Sequence, residues 1–184
     1  MDAFQSLVPA SVLVEWHAQP GFKVRDMQGL LECGGICCDL YHVHLQECFF
    51  NEAGPRHICR FSSPDAESVR TALRAVKVKA DRIWAGRIFN RRMHSDGNVV
   101  IERTLNRHER KNTVAMLDSL DKEWEERYGF LLVRAMVALD NKRAVFICNA
   151  TDREAIDRAV AQMSLEGPTV WPYRLLKAEA HGTW

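Results

Sequence analysis

Apolar and polar residues alternate along this chain in a pattern that predicts short strands separated by amphipathic helices. Each half opens with an apolar strand, at 12–17 and at 99–104. In the second half a helix over 110–127 follows, because apolar residues recur on one helical face at steps of three or four: Val114, Leu117, Leu120 and Trp124. The matching helix of the first half, over 23–40, contains three glycines, which favour a kink or an early end.

A hairpin, a second helix and a closing strand are predicted next in each half. In the first half the hairpin strands are predicted at 44–50 and 56–61 and the closing strand at 82–89. In the second half the hairpin strands are predicted at 130–138 and 143–149 and the closing strand at 169–176. Asp65 and Asp152 stand where an N-cap is needed, so each second helix is expected to begin there.

The two halves align without a gap when the sequence is shifted by 87 residues, as from Glu15 to Glu102 or from Trp84 to Trp171. The order strand, helix, two strands, helix, strand is that of the split βαβ, ferredoxin-like unit. The sequence therefore predicts the α+β class, with two tandem βαββαβ units at 1–90 and 99–184 and a linker at 91–98.

Two helices cover only one face of such a sheet, and the other face must also be buried. One solution packs the two units sheet to sheet within the chain. This would form, in a single chain, the α/β barrel that other proteins form as dimers. The rival solution buries the uncovered faces against a second copy of the chain, in a homo-oligomer.

Strand alternation divides the side chains between the face under the helices and the opposite face, which we call the open face. The residues expected under the helices are Val12, Val14, Val99, Ile101, Leu131, Val133, Ala135 and Val137, with Trp84 and Trp171. The charged residues expected on the open face are Glu15, His17, Glu47, Arg60, Arg87, Glu102, Arg134 and Arg174. Because buried charges must be paired or serve a ligand, these residues predict either structural Glu–Arg pairs or a binding pocket.

His17 lies two residues after Glu15 and shares its strand face. An imidazole beside carboxylates suits a divalent metal such as nickel or zinc, with His17, Glu15 and Glu47 as ligands. It equally suits a general base and its carboxylate, or a histidine with a structural hydrogen bond.

Two further groups could hold a metal. His42 and His44 share a direction near Cys48, and Cys33 and Cys37 share a helix face. Small core residues are the alternative for such cysteines, and the favoured one for Cys59 and Cys148.

Composition narrows the classes of function. The chain has 25 basic and 24 acidic residues and a formal charge of +1, which gives no general attraction to nucleic acid or to an anionic membrane. No apolar run is long enough for a membrane span, and the first residues lack the pattern of a signal peptide. A cytoplasmic protein with reduced thiols is therefore expected, and its six cysteines form no CxxC pair. No phosphate-binding loop, nucleophile elbow or zinc-protease motif is present.

Three segments resemble a family of small bacterial ferredoxin-like proteins that includes nickel-binding members. They are residues 58–70 (ICRFSSPDAESVR), 100–103 (VIER) and 146–152 (FICNATD). The resemblance implies the ferredoxin-like fold for both halves. It places the family's cysteine at Cys59 and its histidine after the first-strand acidic residue at His17. In the second half, Thr104 stands where the first half has His17, so an implied nickel site would be confined to the first half.

Three functions follow as expectations. The first is a protein that binds a small ligand or a divalent metal, such as nickel, in the space between the two sheets. The second is a cofactor-free enzyme of the α/β barrel type, a monooxygenase or an isomerase, with His17 and Glu15 as its acid/base pair and an arginine as anion clamp. The third is a structural or regulatory module that binds a partner protein.

Overall fold

A computed structural model describes residues 10–17, 40–51, 54–92 and 96–177 of the chain. Except for Leu40, the helix predicted over 23–40 lies outside the described residues, and so do Cys33 and Cys37. The described residues form eight strands and three helices, which confirms the α+β class.

The elements of the first half lie close to their predicted positions. They are β1 (Ala10–His17), β2 (His44–Asn51), β3 (Arg56–Ser63), α1 (Ala66–Ala75) and β4 (Arg82–Asn90). Asp65 caps α1, because its side chain accepts a hydrogen bond from the Ser68 backbone N–H at 2.7 Å. The hydrogen bonds from Ser68 hold the pKa of the Asp65 carboxyl below its usual range.

The second half repeats this order with its first helix included. Its elements are β5 (Val99–Thr104), α2 (Thr113–Tyr128), β6 (Phe130–Ala138), β7 (Arg143–Ala150), α3 (Arg153–Glu166) and β8 (Thr169–Lys177). Asp152 caps α3 as predicted, and Gly129 ends α2 in the left-handed conformation that glycine adopts without steric cost. None of the helices in this described part of the chain is long and apolar enough to span a membrane.

The chain divides into two compact units whose boundaries fall inside strands. Among the described residues, the first unit contains 10–17, 40–50, 55–85 and 175–177, and the second contains 51, 54, 86–92 and 96–174. The change from one unit to the other within β4 thus lies between Ala85 and Gly86. The repeat boundaries at 90 and 99 stay a prediction from the sequence.

In the first unit β3 pairs with both β1 and β2, and both pairings are antiparallel. The apolar core under α1 contains Val12 and Val14 from β1, as predicted, together with Cys48, Cys59 and Leu73. Hydrophobic burial on this face attaches the helix to the sheet.

In the second unit the strands follow the order β6–β7–β5–β8, and every one of these pairings is antiparallel. With two helices after its first and third strands, this is the ferredoxin-like topology. Val99 and Ile101 belong to the core that α2 and α3 cover, as predicted, and so do Ala135 and Val137.

The strand registers of the two units are related by the same offset of 87 residues. Glu15 lies opposite Ile58 in the first unit, and Glu102 lies opposite Val145 in the second. Each hairpin also has a register shift at the same place, between Leu45 and Glu47 and again between Leu132 and Arg134.

This register shift corrects the predicted faces in β6. Leu132 rather than Leu131 lies in the helix-covered core, and Val133 is left outside the alternation, because a bulge opposes one extra residue to the partner strand. The Val133 carbonyl instead accepts hydrogen bonds from the backbone N–H groups of Arg91 and Arg92.

The prediction that Trp84 and Trp171 pack under the helices is wrong. Their neighbours Ile83 and Val170 pack in the helix-covered cores, so alternation turns both indoles to the open face. There Trp84 contacts Glu15 and Trp171 contacts Glu102. Trp171 is buried, whereas Trp84 is half-buried. The reason is the indole N–H, which requires a polar partner that the open face supplies.

The expectation of reduced thiols is wrong for one pair, because Cys48 and Cys59 are joined in a disulfide. The two residues lie directly opposite each other in the β2–β3 pairing, and both are fully buried under α1. Cys148 is a free, buried thiol, as predicted, and burial raises its pKa.

Candidate functional site

The open face of the first unit carries a group of polar side chains where β1 ends. Glu15 and His17 leave β1 on the same face, and Arg56 of β3 lies opposite His17 in the register. Arg56 contacts both residues, with Nη2 3.3 Å from Glu15 Oε2 and Nη1 3.2 Å from His17 Nε2. The guanidinium therefore joins the carboxylate to the imidazole.

Glu15 is the buried member of the group, with an exposed fraction of 2%. Its Oε1 accepts a hydrogen bond from Trp84 Nε1 at 2.6 Å. Its Oε2 faces Arg56 and also lies 3.8 Å from Nη1 of Arg82. A carboxylate taken out of water in this way needs such partners, because an unpaired buried charge is strongly destabilising.

His17 is accessible to solvent, with a side chain that is 52% exposed. Its Nδ1 lies 2.6 Å from Asp81 Oδ2. Since guanidinium nitrogens can only donate, the contact from Arg56 makes Nε2 an acceptor, which assigns the ring proton to Nδ1 beside Asp81. A carboxylate thus fixes the tautomer and directs the basic Nε2 towards Arg56, the arrangement of an oriented general base.

Asp81 reaches this place through the turn that follows α1. The helix ends at Ala75, and Lys77 takes a left-handed conformation while its N–H bonds to the Arg74 carbonyl. The backbone N–H of Asp81 then donates to the Glu15 carbonyl at 2.9 Å, which fixes Asp81 beside the end of β1.

Asp81 and Arg56 were not among the predicted site residues. A signal for Asp81 was available, because in the ferredoxin-like order the closing strand lies beside the opening strand. The residue before β4 must then approach the end of β1. Arg56 could be found only with the register of β1 against β3.

Glu47 and Arg60 lie on the open face, as predicted, but they form a separate pair. Arg60 Nε donates to Glu47 Oε1 at 2.6 Å, and the two residues face each other across β2 and β3. This is the structural Glu–Arg pairing that was the alternative to a ligand site, although it lies within one sheet.

The expected convergence of His17, Glu15 and Glu47 on a metal is not observed. Glu15 and His17 share Arg56, whereas Glu47 pairs with Arg60. Within the described ranges no three His, Cys, Asp or Glu side chains lie close enough together to hold a metal ion. His42 and His44 are both exposed, and Cys48 is bonded to Cys59 in the disulfide.

The prediction that Arg87 and Arg174 lie on the open face is wrong. Arg87 pairs with Val137, which belongs to the helix-covered core, and Arg174 follows the alternation of Val170. Both side chains are exposed, and Arg87 donates to Asn141 Oδ1 at 2.5 Å. The arginines and the tryptophans lie on opposite faces of the same closing strands. An inverted assignment of these faces therefore misplaced both kinds of residue.

The second unit keeps part of the group. Trp171 Nε1 donates to Glu102 Oε1 at 2.8 Å, as Trp84 does to Glu15. Thr104 stands where the first unit has His17. Arg134 lies on the open face, as predicted, and its Nε donates to Asn90 Oδ1 at 3.0 Å.

One more histidine, His57, lies close to the group but on the helix-covered face of β3. It is 5% exposed and packs against the ring of Phe50. Desolvation lowers its pKa from 6.5 to about 4, so the imidazole is neutral at neutral pH. It serves the core rather than the open face.

No protein-family model matches the chain, and no curated protein sequence matches it. Solved structures resemble it in fold. An anthrone oxidase-like protein is 8% identical with a TM-score of 0.55, and the match covers 96% of this chain and 94% of that one. At this identity the likeness concerns the fold alone.

Two bacterial structures match with lower scores. A provisionally named monooxygenase from Fusobacterium nucleatum is 12% identical with a TM-score of 0.48, over 97% of both chains. An uncharacterised ferredoxin-fold protein from Listeria monocytogenes, related to antibiotic biosynthesis monooxygenases, is 10% identical with a TM-score of 0.42, over 91% of this chain and 96% of its own.

Proposed function

We propose that the chain is an acid–base enzyme that removes a proton from a small organic molecule, with His17 as the general base. The observation that carries the proposal is the contact of 2.6 Å between His17 Nδ1 and Asp81 Oδ2. It makes Nε2, which accepts a hydrogen bond from Arg56, the basic atom of a solvent-accessible imidazole. The base, the carboxylate that orients it and the adjacent cation are all side chains of this chain, so the proton transfer itself needs no cofactor.

This proposal changes the partner that the sequence assigned to His17. Glu15 is buried and engaged by Trp84 and Arg56, whereas Asp81 lies at hydrogen-bond distance from the ring. Asp81 is therefore the orienting carboxylate, and Glu15 positions the guanidinium. The likeness in fold to an anthrone oxidase-like protein is compatible with a small aromatic substrate.

We further infer that the two units arose by duplication of one sequence, and that the catalytic group belongs to the first copy. The shared offset of 87 residues in strand register, bulge and Trp–Glu pair supports the duplication. Thr104 cannot act as a base at neutral pH, so the second copy lacks this function.

The test uses protein purified without a histidine tag and a panel of enolisable ketones and polycyclic phenols, anthrone among them. Exchange of substrate hydrogen with deuterium from solvent measures proton removal, and oxygen uptake measures any oxidation that follows. His17→Gln should lower the exchange rate by about 10²–10⁴-fold. Asp81→Asn should cause a loss of up to about 10⁴-fold, because the amide can donate to Nδ1 and so place the ring proton on Nε2.

His44→Gln is the matched control, since it changes an exposed histidine on β2 of the same unit. It should exchange at the wild-type rate. Equal rates in the wild type and in His17→Gln, for every compound that exchanges, would contradict the proposal.

Nickel binding remains a separate proposal from the sequence. Metal analysis of the untagged protein tests it directly. Bound nickel or zinc that is lost in His17→Ala would support a metal at this histidine.

A further inference from the structure

We propose that the molecule which gives its proton to His17 is a weak oxygen acid, a phenol or an enol, and that Arg56 binds the oxyanion so formed. The inference rests on the proposed role of His17 as a base and adds the class of substrate. The juxtaposition of Arg56 with both His17 and Glu15 carries it.

The position of Arg56 decides which atom of the substrate can lose a proton. Nη1 of Arg56 lies 3.2 Å from His17 Nε2 and donates to its lone pair, so a substrate group must replace this hydrogen bond to give its proton to Nε2. A substrate group that approaches this lone pair also comes within hydrogen-bond reach of Nη1. An oxygen can use both contacts, because it donates its proton to Nε2 and accepts a hydrogen bond from Arg56.

The balance of charge favours a substrate that arrives neutral. In the contacts described above, Glu15 and Asp81 supply two carboxylates and Arg56 and Arg82 supply two guanidinium groups, and the imidazole with its one ring proton on Nδ1 adds no charge. A phenol or an enol keeps this balance. After the transfer the oxyanion lies between the imidazolium and the Arg56 guanidinium and is paired with both cations, while Asp81 pairs with the imidazolium at Nδ1. A carboxylate ligand would instead add a negative charge and has no proton to give.

The transfer is a simple proton exchange. The O–H bond of the substrate breaks, an N–H bond forms at Nε2 of His17, and the electron pair stays on the oxygen. No electron is transferred, so this step requires neither an oxidant nor a reductant.

Glu15 and Trp84 act behind Arg56 as positioning residues. Glu15 Oε2 holds Nη2 of Arg56 at 3.3 Å, and Trp84 fixes the other oxygen of the same carboxylate. The Arg56 side chain is 20% exposed, so solvent reaches it while the Glu15 carboxylate sets its direction from the buried side. A preoriented cation of this kind stabilises an oxyanion without reorganisation.

The experiment is a titration of a nitrophenol into the full-length protein, because the phenolate and the phenol absorb at different wavelengths. At a pH where the free compound is mainly neutral, the wild type should raise the phenolate-to-phenol ratio of the bound compound about tenfold, which corresponds to one pKa unit. Arg56→Gln should abolish most of this rise, and His17→Gln should abolish it as well. Arg143→Gln changes the equivalent arginine of the second unit and should behave like the wild type.

A nitrobenzoate of similar shape separates the outcomes. If it binds more tightly than the nitrophenol, and equally well to the wild type and to His17→Gln, the site is an anion clamp and the inference is wrong. Hydrogen exchange from ketones without any phenolate signal would overturn the substrate class but leave the proposed function standing. A phenolate signal without turnover of any compound would support the inference and would contradict the proposed enzymatic function. Circular dichroism checks that each variant is folded.

Discussion

Trp84 donates its indole N–H to the carboxylate of Glu15 across 2.6 Å, and it is one of the groups that keep this buried charge paired. The same pair recurs as Trp171 and Glu102 in the second unit. The bond crosses from the closing strand to the opening strand of each unit, so it ties together two strands that are far apart in sequence.

Loss of this bond should destabilise the first unit. Trp84→Phe keeps an aromatic ring but removes the N–H, and a hydrogen bond to a charged group contributes about 1.5–3 kcal/mol to the free energy of unfolding. Urea unfolding measures the loss. Trp171→Phe is the matched variant, and its cost should be smaller because Glu102 is only half-buried. An equal or larger cost for Trp171→Phe would show that carboxylate burial does not set the strength of this pair.

His57 should make the protein sensitive to mild acid. Its folded pKa of about 4 lies below the usual 6.5, so the unfolded chain binds a proton at this residue before the folded chain does. The contribution of the neutral imidazole is complete above pH 6.5 and falls as pH decreases towards 4, by at most about 1.4 kcal/mol per pH unit.

The corresponding measurement compares urea unfolding at pH 7 and pH 5. His57→Gln should lose less free energy of unfolding between these values than the wild type does, because glutamine does not titrate. His44→Gln removes an exposed histidine and should keep the wild-type difference. If His57→Gln is as acid-sensitive as the wild type, the pH dependence belongs to other groups.

The Cys48–Cys59 disulfide should stabilise the oxidised protein. The bond joins residues 11 positions apart, and the chain-entropy model gives a loop of this size about 3 kcal/mol. A reducing agent should therefore lower the midpoint of thermal unfolding of the wild type. The double variant Cys48→Ala, Cys59→Ala should be less stable and should not respond to the reducing agent at this site.

Peptide mapping by mass spectrometry checks the bond itself. A cross-linked pair of peptides that contains Cys48 and Cys59 is expected from the unreduced protein. Recovery of both cysteines as free thiols under non-reducing conditions would contradict the assignment.

Most of the fold could be predicted because local patterns determine it. Val12 to Val14 form an apolar run and Asp65 has the position of a cap, so strands, helices and their order follow from neighbouring residues. The offset of 87 residues then allowed each half to support the elements assigned to the other.

The face of the closing strands could not be predicted in the same way. Trp84 and Arg87 are three residues apart, so they lie on opposite faces, and the prediction placed the larger apolar ring under the helix. Trp84 instead lies on the open face, where its indole N–H donates to the carboxylate of Glu15. The bulge after Leu132 is equally hard to predict. Its extra residue moves the side chains on one side of the bulge to the other face of the strand, and the apolar pattern of the sequence does not reveal it.

The site depends on register, which a single sequence reveals only in part. The proximity of Glu15 to His17 follows from alternation, whereas the contact of Arg56 with both requires the pairing of β1 with β3. The disulfide was missed for the same reason, since Cys48 faces Cys59 only in one register of the hairpin.

The common register offset also makes the second unit a scaffold into which the chemistry proposed for the first unit can be transplanted. Adding 87 to the numbers of His17, Arg56 and Asp81 gives Thr104, Arg143 and Pro168. The arginine is thus already present, and only Thr104→His and Pro168→Asp are required to rebuild the triplet. A chain engineered in this way would carry two equivalent centres, and its nitrophenol stoichiometry should rise from one to two.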